Sequence, residues 1–334
     1  MNSFGKVFRV SIFGESHGPA VGVTVDGCPA GIPVSPGDFT NELARRRGGR
    51  QGTTERAEED IPEFLSGVFN GFTTGAPITA ITRNRDTRSS DYDNIKLMPR
   101  PGHADFTAHL KYRGYADYRG GGHFSGRLTW GLVVAGVFAR KMLPGTTFRA
   151  ELISAGGKED IEDAIAEAKK AGDTIGGIVE CRVDGLPAGL GEPFFLSVES
   201  AISSGVFSIP AIKGIEFGAG FAAAAMKGSQ HNDPITDISG TTATNNSGGI
   251  NGGITNGNQL VFRVVVKPAS STGVMQKSVD LETGVIAPLT VKGRHDTLIA
   301  LRVPVILESV TALALADLMI IDRGINFSAA RWHE

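Results

Sequence analysis

Histidines and arginines cluster around three consecutive glycines in the stretch from Pro99 to Trp130. His103 follows a Pro-Gly pair, so we expect it where a turn gives way to regular structure. Gly120 to Gly122 can adopt positive φ and present their N–H groups to an anion. Apolar side chains spaced by three and four from Leu128 to Met142 predict a helix after them. A glycine run opening onto a helix is a candidate phosphate or flavin site, although triple glycines also form plain tight turns.

The segment from Gly14 to Gly18, Gly-Glu-Ser-His-Gly, offers two kinds of chemistry. Ser16 satisfies the G-x-S-x-G pattern of a hydrolase nucleophile elbow, but that motif needs a helix directly after the serine, and here Pro19 and strand-like residues follow. The other interpretation makes His17 a proton donor in a glycine-lined pocket. A serine hydrolase that uses Ser16 stays an alternative, and so does a turn or core histidine without chemistry.

Arginines are concentrated in the first half of the chain, notably from Arg45 to Arg50 and from Arg83 to Arg88. Guanidinium groups bind carboxylates and phosphates in a bidentate manner, so these clusters indicate an anionic ligand unless they are solvated surface charge. A formal net charge of −2 disfavours a general nucleic-acid or membrane-surface binder. A non-catalytic anion-binding protein remains open.

Composition is typical of a globular protein, with 41% hydrophobic and 20% charged residues in 334. Its 45 glycines imply many special backbone positions. Cys28 and Cys181 share no short spacing, so neither a disulfide framework nor a metal site is predicted, and Cys181 is expected to be buried. No apolar run approaches the roughly 18 residues of a membrane span, and no signal segment is evident, so we expect a cytoplasmic protein.

Periodicity and turn residues predict the main elements. Strands are expected at Val7–Phe13, Val21–Val25, Phe64–Phe69, Ile78–Thr82, Ile178–Val183 and Leu260–Lys267. Helices are expected after Ser35, at Glu159–Lys170 with Gly172 ending it, at Ser197–Ile202 and at Leu301–Ile321. The glycine-rich stretch Asn245–Gly257 predicts no regular element.

Two sequence patterns occur twice. Val25–Ile32 (VDGCPAGI) recurs as Val183–Leu190 (VDGLPAGL). Gly102–Asp105 (GHAD) has a similar counterpart in Arg294–Asp296 (RHD). We interpret the chain as a single domain over residues 1–334, built from two similar halves, roughly 1–150 and 173–334, that share one core.

Taken together, the motifs resemble the chorismate synthase family over nearly the whole chain. The segments are, in family order, GESHGPAVGVTVDGCPAGIPVS, ELARRRGG, FLSGVFNGFTTGAPI, RPGHAD, YRGGG, IPAIKGIEFG, NNSGGINGGITNG, KPASS and GRHD. The resemblance implies an α+β fold, a β-α-β sandwich with antiparallel sheets around a helical core and an internal pseudo-two-fold axis. It also implies a homotetramer.

The resemblance further implies a lyase of the shikimate pathway and aromatic amino acid biosynthesis. The family converts 5-enolpyruvylshikimate 3-phosphate to chorismate by 1,4-elimination of phosphate, and it needs reduced FMN (FMNH2) without net redox change. Reduced flavin lends electron density to the substrate as phosphate leaves and recovers it as the C6 hydrogen is lost. No flavin-reductase segment is present, so an external flavin reductant is implied, with an association with NADP.

Family positions also imply roles for individual residues. His17 would protonate the departing phosphate, and His103 would hold a proton near the flavin ring. Asp296, with Ser16 and Ser125, would lie near flavin N5 and assist removal of the C6 hydrogen. The implied FMN contacts are His123, Phe124, Ser125, Ala211, Gly252, Lys267, Pro268, Ala269, Ser270, Ser271 and Arg294. The implied substrate or phosphate contacts are Arg46, Arg47, Arg50, Arg100 and Arg127.

The chain departs from the family pattern directly after the three glycines. The usual R-S-S-A-R-E-T reads H-F-S-G-R-L-T here, from His123 to Thr129. Because Arg127 and the glycines are kept, we expect FMN to lie against the backbone of Gly120–Ser125, with an apolar contact from Phe124 and a hydrogen bond from His123.

Overall fold

The computed structural model describes residues 2–49, 51–54, 58–85, 95–291 and 295–326, and it contains two larger antiparallel sheets. The first sheet has the order β1-β2-β3-β7-β4. Its strands are β1 (Ser3–Phe4), β2 (Arg9–Gly14), β3 (Ala20–Asp26), β4 (Glu63–Ser66) and β7 (Ile78–Arg83); β5 (Val68–Phe69) and β6 (Phe72–Thr73) form a hairpin between β4 and β7. Val21, Val23 and Val25 of β3 are buried, as the alternation in the sequence predicts.

The second sheet has the order β10-β13-β9-β8. Its strands are β8 (Thr147–Ala155), β9 (Gly177–Asp184), β10 (Ile212–Phe217) and β13 (Leu260–Val266). Two hairpins accompany it, β11 (Ile250–Asn251) with β12 (Ile254–Thr255), and β14 (Gln276–Val279) with β15 (Ile286–Leu289). Cys181 of β9 is fully buried, which confirms the sequence prediction.

Helices pack between and around the sheets. They are α1 (Gly37–Arg46), α2 (Asp105–Lys111), α3 (Thr129–Lys141), α4 (Ile161–Ala171), α5 (Val198–Val206), α6 (Gly228–His231) and α7 (Val303–Asn326). Helix α3 packs on β3, α7 packs on β8 and β9, and the two helices pack on each other. At their crossing a Cβ on Gly136 would collide with Ser309, so glycine allows the close approach. The expected fold, antiparallel sheets around a helical core, is confirmed.

Local sequence signals explain several boundaries. Helix α4 begins where the Asp160 carboxylate accepts a hydrogen bond from the N–H of Asp163 at 3.0 Å, and it ends at Gly172, whose φ is 66°. Helix α7 is apolar enough by length and composition to cross a membrane, contrary to the expectation that no run approached this length. Because 78% of its most apolar window is buried inside the fold, it is the central core helix that the sequence predicted at Leu301–Ile321.

Two sequence predictions were wrong in detail. Helix α3 does not begin at the three glycines, because two short 3₁₀ turns, Arg119–Phe124 and Gly126–Leu128, separate them from Thr129. The stretch Asn245–Gly257 was expected to lack regular structure, yet it contains the β11–β12 hairpin. The hairpin occupies the same place in the second half as β5–β6 in the first, next to the repeated VDG segment. The division at 1–150 and 173–334 stays a prediction.

Candidate active site

A cavity of about 850 Å³ is bounded by segments from both halves of the chain. Its volume lies in the range of about 300–1,000 Å³ found for ligand sites. The predicted site residues that line it are Ser16, His17, Arg46, Arg47, His103, His123, Phe124, Ser125, Arg127, Ala211, Lys267, Pro268, Ala269, Ser270, Ser271 and Asp296. Among the other four, Arg50 and Arg294 lie outside the described residues, while Arg100 and Gly252 do not line the cavity.

The glycine turn brings the two predicted catalytic histidines together. Gly120, Gly121 and Gly122 have φ angles of 59°, 81° and 52°. A Cβ on Gly120 would collide with the His17 imidazole, and a Cβ on Gly121 would lie 3.3 Å from Cε1 of His103. Adjacent residues of the turn therefore each lie against one of the two rings. Glycine is required here for the positive φ and for the space.

Ser16 is not arranged as a hydrolase nucleophile. It is 1% exposed, and the residues after it form a turn that leads into β3 instead of a helix. Its N–H donates to the carbonyl of Gly122 at 3.0 Å, which ties the turn after β2 to the glycine turn. The nucleophile elbow needs a strand-to-helix turn, so the local fold does not support the Ser16 hydrolase interpretation.

A buried carboxylate joins two of the predicted substrate arginines. Asp60, 1% exposed, accepts from Nη2 of Arg46 at 2.5 Å and from Nη1 of Arg127. Burial alone raises the pKa of Asp60, but the two guanidinium groups outweigh it and hold the pKa below 3.8. Burial lowers the pKa of Arg46 to about 10. Nε of Arg47 also lies 3.9 Å from Oδ2 of Asp60, so three cations surround one anion and the cluster keeps a net positive charge at the cavity wall.

Both arginines keep hydrogen-bond donors that no described residue satisfies. Nε of Arg46 and Nη2 of Arg127 are buried without a partner within the described part of the chain. The Nε of Arg127 donates to Oδ1 of Asn84 at 3.0 Å, so the guanidinium is fixed in orientation. A buried donor without a partner is costly.

Asp296 is held by an arginine that sequence reasoning missed. Arg302 donates from Nε to Oδ2 of Asp296 at 2.7 Å and from Nη2 to Oδ1 at 3.0 Å. The N–H of Thr54 donates to Oδ1 at 2.6 Å, and Arg302 also reaches the carbonyl of Arg46 at 3.3 Å. The carboxylate therefore lines the cavity in one fixed orientation.

A second carboxylate lies behind His103. Asp105, the first residue of α2, has its Oδ1 2.6 Å from Nδ1 of His103 and accepts from Nε of Arg100 at 2.7 Å. Arg100 also donates from Nη1 to the hydroxyl of Ser271 at 2.9 Å. The guanidinium is 5% exposed and does not line the cavity, so a direct contact of Arg100 with the substrate stays a prediction.

The segment after β13 faces this histidine from the opposite side. Lys267 donates from Nζ to the carbonyl of Gly102 and to the hydroxyl of Ser270, both at 2.7 Å. Burial and then the nearby charge of Lys213 lower the pKa of Lys267. Lys213 also lines the cavity, so two lysines add positive charge beside the glycine turn.

His123 and Phe124, where the chain leaves the family pattern, both reach the cavity. Nδ1 of His123 lies 2.8 Å from the carbonyl of Gly14 and donates to it, since a carbonyl can only accept. The ring of Phe124 packs against Tyr112 at 6.3 Å between centroids. These contacts fix both side chains against protein before any ligand is considered.

Sequence reasoning missed Asp60, Arg302 and Lys213. Asp60 ends a run of three acidic residues that is typical of a solvated surface. Arg302 directly precedes the most apolar helix, and a single arginine at that position is typical of a residue that only marks the start of a helix. Lys213 follows Ile212 within the quoted segment IPAIKGIEFG, so the motif itself was the available signal.

Comparison with known proteins identifies the family. The family model described as chorismate synthase matches residues 8–320. A chorismate synthase of Chitinophaga pinensis is 61% identical over 327 residues, covering 98% of each chain, and one of Korarchaeum cryptofilum is 46% identical over 94% of this chain and 96% of its own. A crystal structure of chorismate synthase superposes with a TM-score of 0.73 at 27% identity, covering 96% and 94%. The chain belongs to the chorismate synthase family.

Proposed function

We propose that the chain catalyses the 1,4-elimination of phosphate from 5-enolpyruvylshikimate 3-phosphate to give chorismate. The observation that carries the proposal is the concentration of cations in one cavity beside two histidines. Arg46, Arg47, Arg127, Lys213 and Lys267 all line it. The substrate carries one phosphate and two carboxylates, and such groups are bound best by arginine and lysine.

The arginine pair supplies the anion contacts. Asp60 pairs with Arg46, Arg47 and Arg127, so one carboxylate balances only part of their charge and the group stays positive. Nε of Arg46 and Nη2 of Arg127 have no partner in the described structure. An unsatisfied buried donor costs about 1–3 kcal/mol. We infer that phosphate or carboxylate oxygens bind the guanidinium groups of Arg46 and Arg127, which both line the cavity.

The residues around the glycine turn fit reduced FMN. The three positive-φ glycines present backbone without side chains, Phe124 offers an apolar face, and Lys267 with Ser270 offers donors for a phosphate. We propose that His123–Ser125, Ala211 and Lys267–Ser271 bind the cofactor; contacts from Gly252 and Arg294 stay predictions. The chemistry that a bound reduced flavin supplies is transient electron density for the departure of phosphate, without net redox change.

Protons are handled by side chains with fixed orientations. We propose that His17, against Gly120, donates a proton to the departing phosphate, and that His103 keeps a proton on the flavin side of the cavity. Asp296 is fixed by Arg302 as a hydrogen-bond acceptor. With Ser16 and Ser125 it is placed to assist loss of the C6 hydrogen.

Four further features are proposed from the family alone: a homotetramer, an external flavin reductant, an association with NADP and a cytoplasmic location. The two buried free cysteines are compatible with a reducing compartment.

The decisive assay incubates the full-length protein with FMN, dithionite and the substrate under nitrogen, and follows chorismate and free phosphate together. Equal amounts of both products are expected, with none when dithionite is omitted. Arg127→Gln should lose most of the activity, whereas Arg149→Gln, whose side chain is 79% exposed, should retain it.

Two outcomes would contradict the proposal. Labelling of Ser16 by a fluorophosphonate probe, together with ester hydrolysis, would favour the hydrolase alternative. Tight binding of the substrate without product under strictly reducing conditions would favour a non-catalytic anion-binding protein.

A further inference from the structure

We propose that Asp105 is a positioning residue, which fixes the tautomer and the orientation of His103 so that Nε2 faces the cavity. The proposal deepens the proposed function and rests on it, because it concerns one of the two histidines placed there as proton carriers. Asp105 does not line the cavity, while His103 does. Its action must therefore pass through the imidazole.

The distance between the two side chains defines which ring nitrogen carries the hydrogen. Oδ1 of Asp105 lies 2.6 Å from Nδ1 of His103, a short separation typical of a charge-assisted bond. An ionised carboxylate can only accept, so the hydrogen lies on Nδ1. Nε2 is then the free acceptor of the neutral ring, and a Cβ built on Gly121 would lie 3.4 Å from it.

Arg100 keeps the carboxylate from turning. It donates from Nε to Oδ2 at 2.7 Å, from Nη2 to Oδ1 at 2.9 Å and from its backbone N–H to Oδ2 at 3.1 Å. Both oxygens of Asp105 are therefore bound, and rotation of the carboxylate would break these bonds.

The same guanidinium also restrains the histidine ring itself. Nη2 of Arg100 lies 3.1 Å from Nδ1 and 3.2 Å from Nε2 of His103. An atom this close to both nitrogens lies over the face of the ring, because in the ring plane it would collide with a ring carbon. Asp105 thus holds the edge of the imidazole and Arg100 covers one face, so a flip of the ring would cost both contacts.

The consequence for proton transfer follows from the chemistry of imidazole. In water the neutral ring prefers the hydrogen on Nε2, which would leave the cavity side of His103 unable to accept a proton. Asp105 reverses that preference and presents the Nε2 lone pair to the cavity. When Nε2 takes a proton, Nδ1 keeps its hydrogen bond to the carboxylate, as in the His–Asp pairs of other enzymes.

The test combines a spectroscopic and a kinetic readout on the full-length protein. Nitrogen-15 NMR of histidine-labelled protein, without flavin or substrate, reports the tautomer, and His103→Gln assigns the signal. We expect wild-type His103 to carry its hydrogen on Nδ1 above neutral pH. In Asp105→Asn and Asp105→Ala the population should move to the Nε2 form, and kcat should fall by about a hundredfold, the range of a lost acid–base group, while KM stays within about threefold.

A matched control separates positioning from stability. Asp317 is also buried and accepts three backbone N–H bonds, from Lys6, Val7 and Phe8 at 2.7–2.8 Å. Asp317→Asn should lower Tm without changing the His103 tautomer or kcat below Tm.

Three outcomes would overturn the proposal: an Nε2-protonated His103 in the wild type, an unchanged tautomer in both Asp105 variants, or normal turnover in them. Should the wild-type protein yield no chorismate, the proposed function fails, and the tautomer spectrum still decides whether Asp105 positions His103.

Discussion

Thr73 and Thr255 make the same pair of hydrogen bonds in the two halves of the chain. Each hydroxyl donates to a proline carbonyl and accepts from a backbone N–H three residues after that proline, inside the repeated VDG segment. The bonds are Thr73 Oγ1 to Pro29 O at 2.6 Å, Ile32 N to Thr73 Oγ1 at 2.9 Å, Thr255 Oγ1 to Pro187 O at 2.7 Å and Leu190 N to Thr255 Oγ1 at 2.9 Å. The sequence repeat therefore corresponds to a repeated turn, with each threonine supplied by a hairpin.

This equivalence predicts equal losses of stability. Thr73→Val and Thr255→Val keep the shape but leave a carbonyl and an N–H unsatisfied, so each should lower the free energy of unfolding by about 1–3 kcal/mol. Urea unfolding followed by circular dichroism measures both. Thr40→Val is the control, because its exposed hydroxyl also donates to a proline carbonyl, that of Pro36, and its loss should change little. A large effect in only one half would contradict the equivalence.

Gly120→Ala should impair turnover much more than stability. The new methyl group meets the His17 ring, so His17 must move from its place beside the glycine turn. Turnover should fall by about a hundredfold or more, the range of a general acid, with little change in circular dichroism. Gly172→Ala is matched in backbone strain, with φ of 66° against 59°, but has nothing within 4 Å of the new methyl. It should keep full turnover; a normal rate in Gly120→Ala would remove His17 from the mechanism.

Acid should destabilise the protein through Asp60. Its folded-state pKa is lowered, so it contributes stability that is complete above its unfolded pKa of about 3.9 and is lost as pH falls through the lower folded value. Urea unfolding between pH 7 and pH 3 should show this loss setting in below about pH 4. In Asp60→Asn the protein should be less stable at pH 7, and its stability should depend less on pH in the acid range. Parallel curves for both proteins would contradict the assignment.

FMN affinity tests the altered loop. Gly121→Val should abolish binding, because valine at a φ of 81° is strained and its Cβ would crowd His103. His123→Arg should tighten binding or leave it unchanged, since a charge-assisted contact is worth roughly 1.5–3 kcal/mol. Fluorescence titration of FMN measures both. Normal FMN binding by Gly121→Val would show that the glycine turn is not the cofactor site.

Turn residues and hydrophobic periodicity in the sequence predicted the features that depend on local interactions, such as helix ends and the buried face of a strand. Gly172 ended α4 as expected, and the buried valines of β3 followed the period of two. The start of α3 was placed too early, because the glycine run is followed by 3₁₀ turns that no periodicity reveals. The alternation of apolar and polar residues did not predict the β11–β12 hairpin, because two-residue strands are too short to show it.

The candidate site was predicted by residue type and resemblance, and its internal contacts were not. Asp60 binds Arg46 and Arg127, which are remote from it in the sequence. Asp296 binds Arg302, which lies directly before an apolar helix. Arg100 was expected at the substrate, and its hydrogen bonds to Asp105 and Ser271 were not foreseen. Such assignments depend on the tertiary fold, which charge and spacing alone do not specify.

The close crossing of α3 and α7 at Gly136 and Ser309 has a consequence for ligand linkage. The two helices come from different halves of the chain, and each also packs on one of the two sheets, so unfolding should be cooperative. The cavity takes residues from Asn2 to Ile306, so only the complete native state can bind. A ligand should therefore raise the global unfolding free energy by RT ln(1 + [L]/Kd). The slowest-exchanging amide hydrogens of both helices should then exchange more slowly, by the same factor, as the ligand concentration rises.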